Sequence, residues 1–273
     1  MVKTVAGICA AALLAASCGN SFTREHFVAD GHRTGVTAPT ASNVQECLGR
    51  VAGGVYTAPN GAVFSDGATP AVARDLISVQ PRMARLKTVI GHAPRPMVKH
   101  YPESELSDWF VDRLMQDTER LTGRRVDIGI ANFGGIRSSI PEGEVLLDDI
   151  VSMFPFRNYL CHVTLKGEDV RVIFEQFARE HTQILGGVKF VVKDHSIDTL
   201  LIGGEPLDPE RIYGVATIDF LLDGGDGLKI ARNALDLVTT DVMIMDSMVS
   251  CVGELTAAGK PVEYHTDGRV VVK

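Results

Sequence analysis

Residues 102–131 hold the pattern that most restricts how this chain can fold. Apolar side chains recur there at helical spacing, acidic residues lead the segment, and Gly123 supplies a stop. The apolar positions are Leu106, Trp109, Phe110, Leu114 and Leu121. The short run "VDIGIA" follows at once and is typical of a buried strand. An amphipathic helix followed directly by a buried strand indicates a fold that layers helices on a sheet.

The alternation of helix and strand patterns continues to the C-terminus. Further helices are predicted over 69–87, 145–154, 168–180 and within 240–259. Further strands are predicted over 88–93, 159–165, 187–192, 197–203, 213–219 and 269–273. We expect Thr69 and Pro70 to be the N-cap and first residue of the first of these helices, and Pro81 to kink or interrupt it. The predicted fold class is mixed α/β (α+β), with layered sheet and helix.

The first 18 residues have the build of an export signal. One lysine precedes an apolar run from Val5 to Ala16, which is too short to span a bilayer as a mature helix. The ending Ala-Ser-Cys resembles a bacterial lipobox, although Ala15 stands where that pattern prefers Leu, Val or Ile. We expect lipidation of Cys18, which would anchor an exported protein to a membrane of the cell envelope. Ordinary release into the periplasm is the alternative.

The net charge and the cysteines limit the partners and the metal sites that this chain can have. The formal net charge is −7 and no run of Lys and Arg is present, which argues against nucleic acid as a partner. Cys47, Cys161 and Cys251 form no C-x-x-C pair, so we expect no zinc site and either one disulfide or buried free thiols. Residues 19–79 are predicted to form a loop-rich extension with short strands in "GGVYTA" and "AVFS". Residues 80–273 are predicted to form the main domain.

The segment "ANFGGIR" places polar groups directly after the predicted strand. Loops beyond strand ends are where α/β proteins bind ligands. Gly134 and Gly135 would let backbone amides approach an anion, and Arg137 offers a planar fork for phosphate or carboxylate. Asn132 lies at the start of the same loop. A tight turn with a solvated arginine is the alternative.

Each of two later segments combines a phenylalanine with a polar residue that could bind a ligand. In "FPFRN", Phe156 offers a flat face and Asn158 could bond the edge of a heterocycle. In "ATIDFLLDGGDG", Phe220 precedes a glycine-rich turn that contains Gly225 and Asp226. Taken singly, each has an alternative: a buried phenylalanine beside a polar turn, and an aspartate that bonds its own backbone.

The order and spacing of "GGIR" at 134–137, "PFRN" at 155–158 and "GGDG" at 224–227 resemble the substrate domain of the bacterial 5′-nucleotidase and UDP-sugar hydrolase family. The resemblance implies that Arg137 contacts phosphate and that Phe156 and Phe220 clamp a base between them. It implies further that Asn158 reads the base edge and Asp226 accepts from ribose hydroxyls. The full set of substrate-binding residues would then be Asn132, Gly134, Gly135, Arg137, Phe156, Asn158, Phe220, Gly225 and Asp226.

Two departures from the family pattern affect this assignment. Arg157 replaces the family's glycine in "PFRN", which adds bulk and removes easy access to positive φ. The family also places further arginines before the first long helix. Arg95, Lys99 and His100 are the nearest candidates, and none matches cleanly. We therefore expect a phosphate grip that is weaker than usual or supplied from elsewhere.

Family members carry two divalent metals on a separate N-terminal metallophosphatase domain, marked by D-x-H, G-D-x-x-D, G-N-H-E/D and G-H-x-H. Asp30 and His32 fit D-x-H, but no second motif follows, so a polar turn is the better interpretation. We therefore assign no catalytic residue, metal ligand or cofactor to this chain, and expect the divalent metals on a partner.

Three functions are compatible with substrate-binding motifs that lack metal ligands. The first, which we favour, is the nucleotide-recognition half of a split 5′-nucleotidase-type phosphohydrolase, with the metals on a separate metallophosphatase chain. The second is a non-catalytic exported lipoprotein that binds nucleotides or nucleosides. The third is a structural lipoprotein that keeps the fold without the ligand.

Overall fold

A computed structural model describes residues 43–273 of the chain. The export signal, Cys18, Asp30 and His32 lie outside these residues. The described part begins with α1 (Val44–Leu48), β1 (Arg50–Ala52), β2 (Val55–Thr57), β3 (Val63–Phe64), α2 (Thr69–Met83) and a 3-10 helix (Ala84–Lys87). The three strands form an antiparallel sheet against which α2 packs. Both predicted short strands are confirmed, and the predicted boundary between residues 79 and 80 falls inside α2.

Two details of α2 correct the sequence expectations. Ala68 is the N-cap and Thr69 is already helical, so the helix begins one residue earlier than expected. Pro81 does not interrupt the helix, which continues to Met83 before it tightens into the 3-10 turn. Pro81 lacks the amide that would donate to the carbonyl of Ile77, and the α-helix gives way to the 3-10 turn three residues later.

The central sheet has five strands: β5 (Ile128–Ala131), β7 (Tyr159–Lys166), β8 (Ile184–Gly186), β12 (Ile212–Ile218) and β13 (Asp236–Met243). Their order in the sheet is β13-β7-β12-β5-β8. β12 pairs with β5 in parallel, and the other neighbours are antiparallel. All four residues of β5 are buried, as a strand with covered faces requires. β8 and β13 were not predicted from the sequence.

Four further helices follow α2 along the chain: α3 (Glu105–Thr122), α4 (Leu147–Met153), α5 (Gly167–Arg179) and α6 (Ile244–Ala257). α3 has the predicted amphipathic face, with Trp109 and Phe110 buried. Ser104 caps its start by accepting from the amide of Ser107 at 3.2 Å, and Gly123 ends it with a φ of 65°. α3 covers β5 and β8 and also packs against α6, which places the core between helices and sheet.

The remaining strands complete a layered molecule. β4 (Val89–Ala93) pairs with β6 (Gly143–Leu146). A four-stranded sheet consists of β9 (Val188–Lys193), β10 (Ser196–Ile202), β11 (Glu205–Pro206) and β14 (Val270–Val272). Its strand order is β11-β10-β9-β14. The predicted mixed α/β class is confirmed. Within residues 43–273 no helix combines the length and apolar character needed to cross a membrane, and the three cysteines of this part are free thiols.

Candidate functional site

The glycine pair after β5 leaves room for the side chain of Asn132. A Cβ atom on Gly135 would lie 2.9 Å from Asn132 Oδ1, and one on Gly134 would lie 3.3 Å from Asn132 Nδ2. The amides of Gly135 and Arg137 donate within the chain, to the carbonyls of Asn132 (3.1 Å) and Met153 (2.9 Å). The glycines therefore allow close packing around Asn132, and these two amides are not available to an anion.

Asn132 and Asp226 are joined directly although 94 positions separate them. Asn132 Nδ2 donates to Asp226 Oδ2 at 2.7 Å, so the aspartate bonds this amide rather than its own backbone. Asp226 is exposed and has a φ of 49°, a conformation that costs energy for a residue other than glycine. Asn132 Oδ1 is buried and has no hydrogen-bond partner in the described chain. One polar atom of the pair thus remains to be satisfied.

Gly225 allows the 224–227 turn to lie against Phe220. A Cβ atom on Gly225 would come within 2.0 Å of the Phe220 carbonyl oxygen, so only glycine fits there without a shift. Gly224 has a φ of 108°, and its amide donates to the carbonyl of Leu228 at 2.6 Å. The turn that contains Asp226 therefore packs directly against Phe220.

Asp219 links the segments that bear the two exposed phenylalanines. Its Oδ1 accepts from the amides of Tyr159 (3.1 Å) and Phe220 (2.9 Å). Tyr159 begins β7 immediately after "PFRN", so one carboxylate oxygen ties this segment to the 3-10 helix Asp219–Leu221. Phe156 is 48% exposed and Phe220 is 44% exposed, and neither ring belongs to the core. Asp219 was not identified from the sequence.

Arg137 lies beside the first of these rings. Its guanidinium carbon is 5.9 Å from the centroid of Phe156, and Nη1 donates to the carbonyl of Gly134 at 3.2 Å. Arg157 does not have a positive φ, so replacement of the family's glycine forces no left-handed backbone here. The carbonyl of Asn158 accepts from the first amide of α6 at 3.0 Å, while its side chain is half-buried.

Lys99 supports the glycine loop that follows β5. Its Nζ donates to the carbonyls of Phe133 (2.8 Å) and Ile136 (2.7 Å), at the two ends of the short 3-10 turn. Burial lowers the pKa of Lys99, and the positive charge of Arg137 lowers it further. Of the three upstream cations, Lys99 therefore supports the loop, and two of its three donor hydrogens are already used.

The other two upstream cations have different surroundings. Arg95 pairs with Glu105 and donates to the carbonyl of Tyr264 at 2.7 Å. His100 is exposed, and within residues 43–273 its side chain forms no hydrogen bond. Neither residue is built into the glycine loop as Lys99 is.

A cavity of about 460 Å³ opens beside the same loop. It is lined by Lys99, Tyr101, Phe133, Gly134, His181, Thr182, Gln183 and Asp226. The Tyr101 ring is 51% exposed and contacts Phe133 (5.7 Å between centroids) and His181 (6.2 Å). Tyr101, His181 and Gln183 were missed by sequence reasoning because they come from separate segments and none carries a local motif.

Residues 43–273 contain one group of three possible metal ligands, Glu103, Asp108 and Asp267. Glu103 already accepts from backbone amides at 2.8 and 2.9 Å. Arg269 donates to Asp267 at 2.9 Å and lies 3.6 Å from Asp108 Oδ2. A guanidinium inside the group does not suit a divalent cation, and the group does not fit the two-metal centre of a metallophosphatase.

Comparisons with known proteins agree with the sequence motifs. The family model described as "5′-nucleotidase, C-terminal domain" matches residues 89–233, which is more than half of the 273-residue chain. Protein UshA of Salmonella pullorum is 32% identical over 119 residues, which cover 42% of this chain and 22% of that protein. A 5′-nucleotidase of Vibrio cholerae is 27% identical over 108 residues, which cover 38% and 20%.

A solved structure gives the same result for the fold. The 5′-nucleotidase precursor from Thermus thermophilus superposes with a TM-score of 0.64 at 26% sequence identity. The superposition covers 80% of this chain and 45% of the Thermus chain. The chain thus spans less than half the length of each of these relatives.

Proposed function

The chain belongs to the 5′-nucleotidase C-terminal domain family, and from this premise we propose that it recognises the nucleotide for a phosphohydrolase whose metal-bearing half is a separate polypeptide. In this proposal the chain binds base, ribose and phosphate, and the partner supplies the divalent metals. The observation that carries the proposal is the pair of exposed phenylalanine rings on segments joined by Asp219, beside Arg137 and Asp226.

The base is held between Phe156 and Phe220. Both rings are about half exposed, which leaves apolar faces available to a planar ligand. Stacking of a base on an aromatic side chain contributes roughly 1–3 kcal/mol, so two rings anchor a nucleotide with little need for base-specific hydrogen bonds. Asp219 keeps the two segments together, which lowers the entropy lost when the ligand enters. Asn158 bonds the base edge.

The ribose is held by the Asn132–Asp226 pair. One oxygen of Asp226 is occupied by Asn132, and the exposed side chain leaves the other oxygen to accept from a ribose hydroxyl. Asn132 Oδ1 is a second acceptor without a partner in the described chain. A diol that donates to these oxygens removes the cost of a buried unsatisfied atom.

The phosphate is held by Arg137. Its side chain is exposed, and its one hydrogen bond within residues 43–273, to the Gly134 carbonyl, uses a single donor of the guanidinium. The remaining donors are free to form a charge-assisted pair with phosphate. Lys99 contributes less directly, because its ammonium is committed to two carbonyls and fixes the loop from which Arg137 projects.

Hydrolysis requires groups that this part of the chain does not supply. Glu103 accepts from backbone amides, Asp267 accepts from Arg269, and the same guanidinium lies 3.6 Å from Asp108. We therefore assign the metals, and with them the activation of water, to a separate metallophosphatase chain exported to the same compartment.

Calorimetric titration of AMP and adenosine into the purified chain tests the binding site. Phe156→Ala and Phe220→Ala should each weaken AMP binding by about 5- to 150-fold, which corresponds to roughly 1–3 kcal/mol per stacked ring. Arg137→Met should weaken AMP binding but leave adenosine binding unchanged. Phe64→Ala is the matched control, because Phe64 is 40% exposed on β3 and should leave both affinities unaltered. Equal losses in Phe64→Ala and the ring variants would argue against the clamp.

A mixing experiment tests the division of labour. The chain is added to a purified metallophosphatase that lacks this C-terminal domain, with divalent metal, and phosphate release from AMP is measured. We expect metal-dependent release that exceeds that of the metallophosphatase alone and that falls with Phe156→Ala. No gain over the metallophosphatase alone would reject the split enzyme.

A non-catalytic binding protein is the second candidate function. It is favoured by the fact that every side chain assigned to base, ribose and phosphate belongs to this one chain. AMP binding without any gain in hydrolysis would support it. Absence of AMP binding with and without the partner would instead support a structural lipoprotein.

Export and lipidation at Cys18 belong to the same proposal. Mass spectrometry of the mature protein would show a lipid-modified Cys18 as its first residue. An unmodified N-terminus in a freely soluble periplasmic fraction would establish release instead.

A further inference from the structure

The cavity of about 460 Å³ beside the glycine loop extends beyond the contacts proposed for base, ribose and phosphate, and we call it the Tyr101 cavity. In the described part of the chain its walls include neither ring of the proposed base clamp, nor Arg137. The cavity shares Gly134 and Asp226 with the proposed nucleotide site. Because Asp226 is assigned to the ribose hydroxyls, a nucleotide bound as proposed reaches this cavity through its ribose.

One wall of the cavity is an aromatic ring whose orientation is fixed by two others. The Tyr101 side chain is 51% exposed. Phe133 contacts it with 5.7 Å between centroids and an interplanar angle of 55°, and His181 with 6.2 Å and 86°. Tilted and edge-to-face contacts are the favoured arrangements of aromatic pairs. A ring that is held in this way and remains half exposed is suited to stack with a planar group of a ligand.

The charges along the cavity disfavour a further phosphate there. Lys99 is its one lysine or arginine in the described part of the chain. The Lys99 ammonium already donates to the carbonyls of Phe133 at 2.8 Å and Ile136 at 2.7 Å, so one donor hydrogen remains. The exposed carboxylate of Asp226 adds a negative charge that repels an anion beside it. An uncharged group is therefore a better occupant.

The size of the cavity and its position at the ribose define how that group is attached. Pockets for small ligands have volumes of about 300–1,000 Å³, so the Tyr101 cavity has room for a ring in addition to the nucleotide. Esterification of one ribose hydroxyl places the ring next to Asp226. The other hydroxyl of the diol keeps its hydrogen and can still donate to the Asp226 carboxylate.

We propose that the Tyr101 cavity binds a planar, uncharged acyl group carried on a ribose hydroxyl, so that this chain accepts ribose-acylated nucleotides. The inference rests on the proposed function, because the base and the 5′-phosphate are held as described there. The acyl ring stacks on Tyr101, and the unmodified hydroxyl donates to Asp226. The site thereby distinguishes a nucleotide that carries such a group from one that does not.

Calorimetric titration of four ligands into the purified chain tests which group the cavity accepts. The first two are AMP and 2′/3′-O-(N-methylanthraniloyl)-AMP, which carries a planar ring on the ribose. The others are 2′/3′-O-acetyl-AMP, which has the ester without the ring, and adenosine 3′,5′-bisphosphate. We expect the ring-bearing nucleotide to bind at least about fivefold more tightly than acetyl-AMP, the lower end of what aromatic stacking contributes. The bisphosphate should bind no more tightly than AMP.

Two substitutions of Tyr101 test whether its ring is responsible for the difference. Tyr101→Ala should reduce the affinity for the ring-bearing nucleotide to that for acetyl-AMP and leave AMP affinity unchanged. Tyr101→Phe is the matched variant that keeps the ring, and it should retain the gain. Phe156→Ala should weaken binding of all four ligands, because the base clamp is common to them. The thermal midpoint of each variant shows whether it is folded, and the comparison of ligands in wild type requires no substitution.

The outcomes separate this subsite from the proposed nucleotide site. Equal affinities of wild type for the ring-bearing nucleotide and acetyl-AMP would overturn the subsite and leave the nucleotide site standing. A gain that persists in Tyr101→Ala would also overturn it, because the ring would then bind elsewhere. Tighter binding of the bisphosphate than of AMP would overturn the preference for an uncharged group. Absence of binding by all four ligands would reject the nucleotide site itself.

Discussion

Substitution of Asp108 tests whether the acidic group at the start of α3 depends on a bound proton. Asp108 is 2% exposed, and its Oδ2 has no hydrogen-bond donor within residues 43–273. Burial raises the pKa of Asp108 to about 8, the positive charge of Arg269 opposes the rise, and the neighbouring Glu103 reinforces it. Asp108 is therefore protonated in the folded protein at neutral pH.

The sign of the pH dependence follows from that proton. The folded state binds it up to about pH 8, whereas the unfolded chain releases it near the usual value of 3.8. The stabilising contribution is complete below about pH 4 and is lost as pH rises through about 8, at up to about 1.4 kcal/mol per pH unit. Asp108→Asn carries no ionisable group and keeps a similar shape. It should exceed wild type in unfolding free energy by on the order of 4 kcal/mol at pH 7, and hardly at all near pH 4.

Urea unfolding followed by circular dichroism, at half-unit steps from about pH 4 to about pH 8, measures this difference. Subtraction of the two curves removes contributions from histidines and other groups that titrate equally in both proteins. Asp267→Asn is the control, and its unfolding free energy should change in the opposite direction. Hydrogen bonding to Arg269 lowers the pKa of Asp267, so its ionised form stabilises the fold above that pKa. Parallel curves for wild type and Asp108→Asn would refute the buried proton.

Further substitutions test other features of the structure. Gly225→Ala brings a Cβ atom within 2.0 Å of a carbonyl oxygen and should weaken AMP binding at least about tenfold. Gly253→Ala, whose Cβ would meet no atom within 4 Å beyond its chain neighbours and the helix backbone, should instead stabilise α6 by about 0.5–1 kcal/mol in thermal unfolding. Asp219→Ala removes the acceptor shared by two amides, so calorimetry should show AMP affinity reduced about tenfold in a folded protein. Arg113→Met should cost about 3 kcal/mol in urea unfolding and Glu254→Gln less than about 1 kcal/mol, because the arginine is buried and the glutamate is largely exposed.

The sequence predicted those parts of the molecule whose causes are local. α3 was predicted within a few residues because its apolar spacing and its glycine stop lie within one segment. The family resemblance, predicted from three short motifs, is confirmed by the family match. β13 was missed because it is an edge strand whose residues alternate between exposed and half-buried, so no strong apolar pattern marks it. β8 was missed because three residues are too short for a periodic signal.

The support of the candidate site could not be predicted, because it depends on contacts between distant positions. Lys99 was considered only as a phosphate ligand, and its bonds to Phe133 and Ile136 span 34 and 37 positions. Asp219 lies in the quoted segment "ATIDFLLDGGDG", but its bond to Tyr159 spans 60 positions. The sequence therefore indicated the residues of the proposed nucleotide site, while the residues that support them became evident only from the fold.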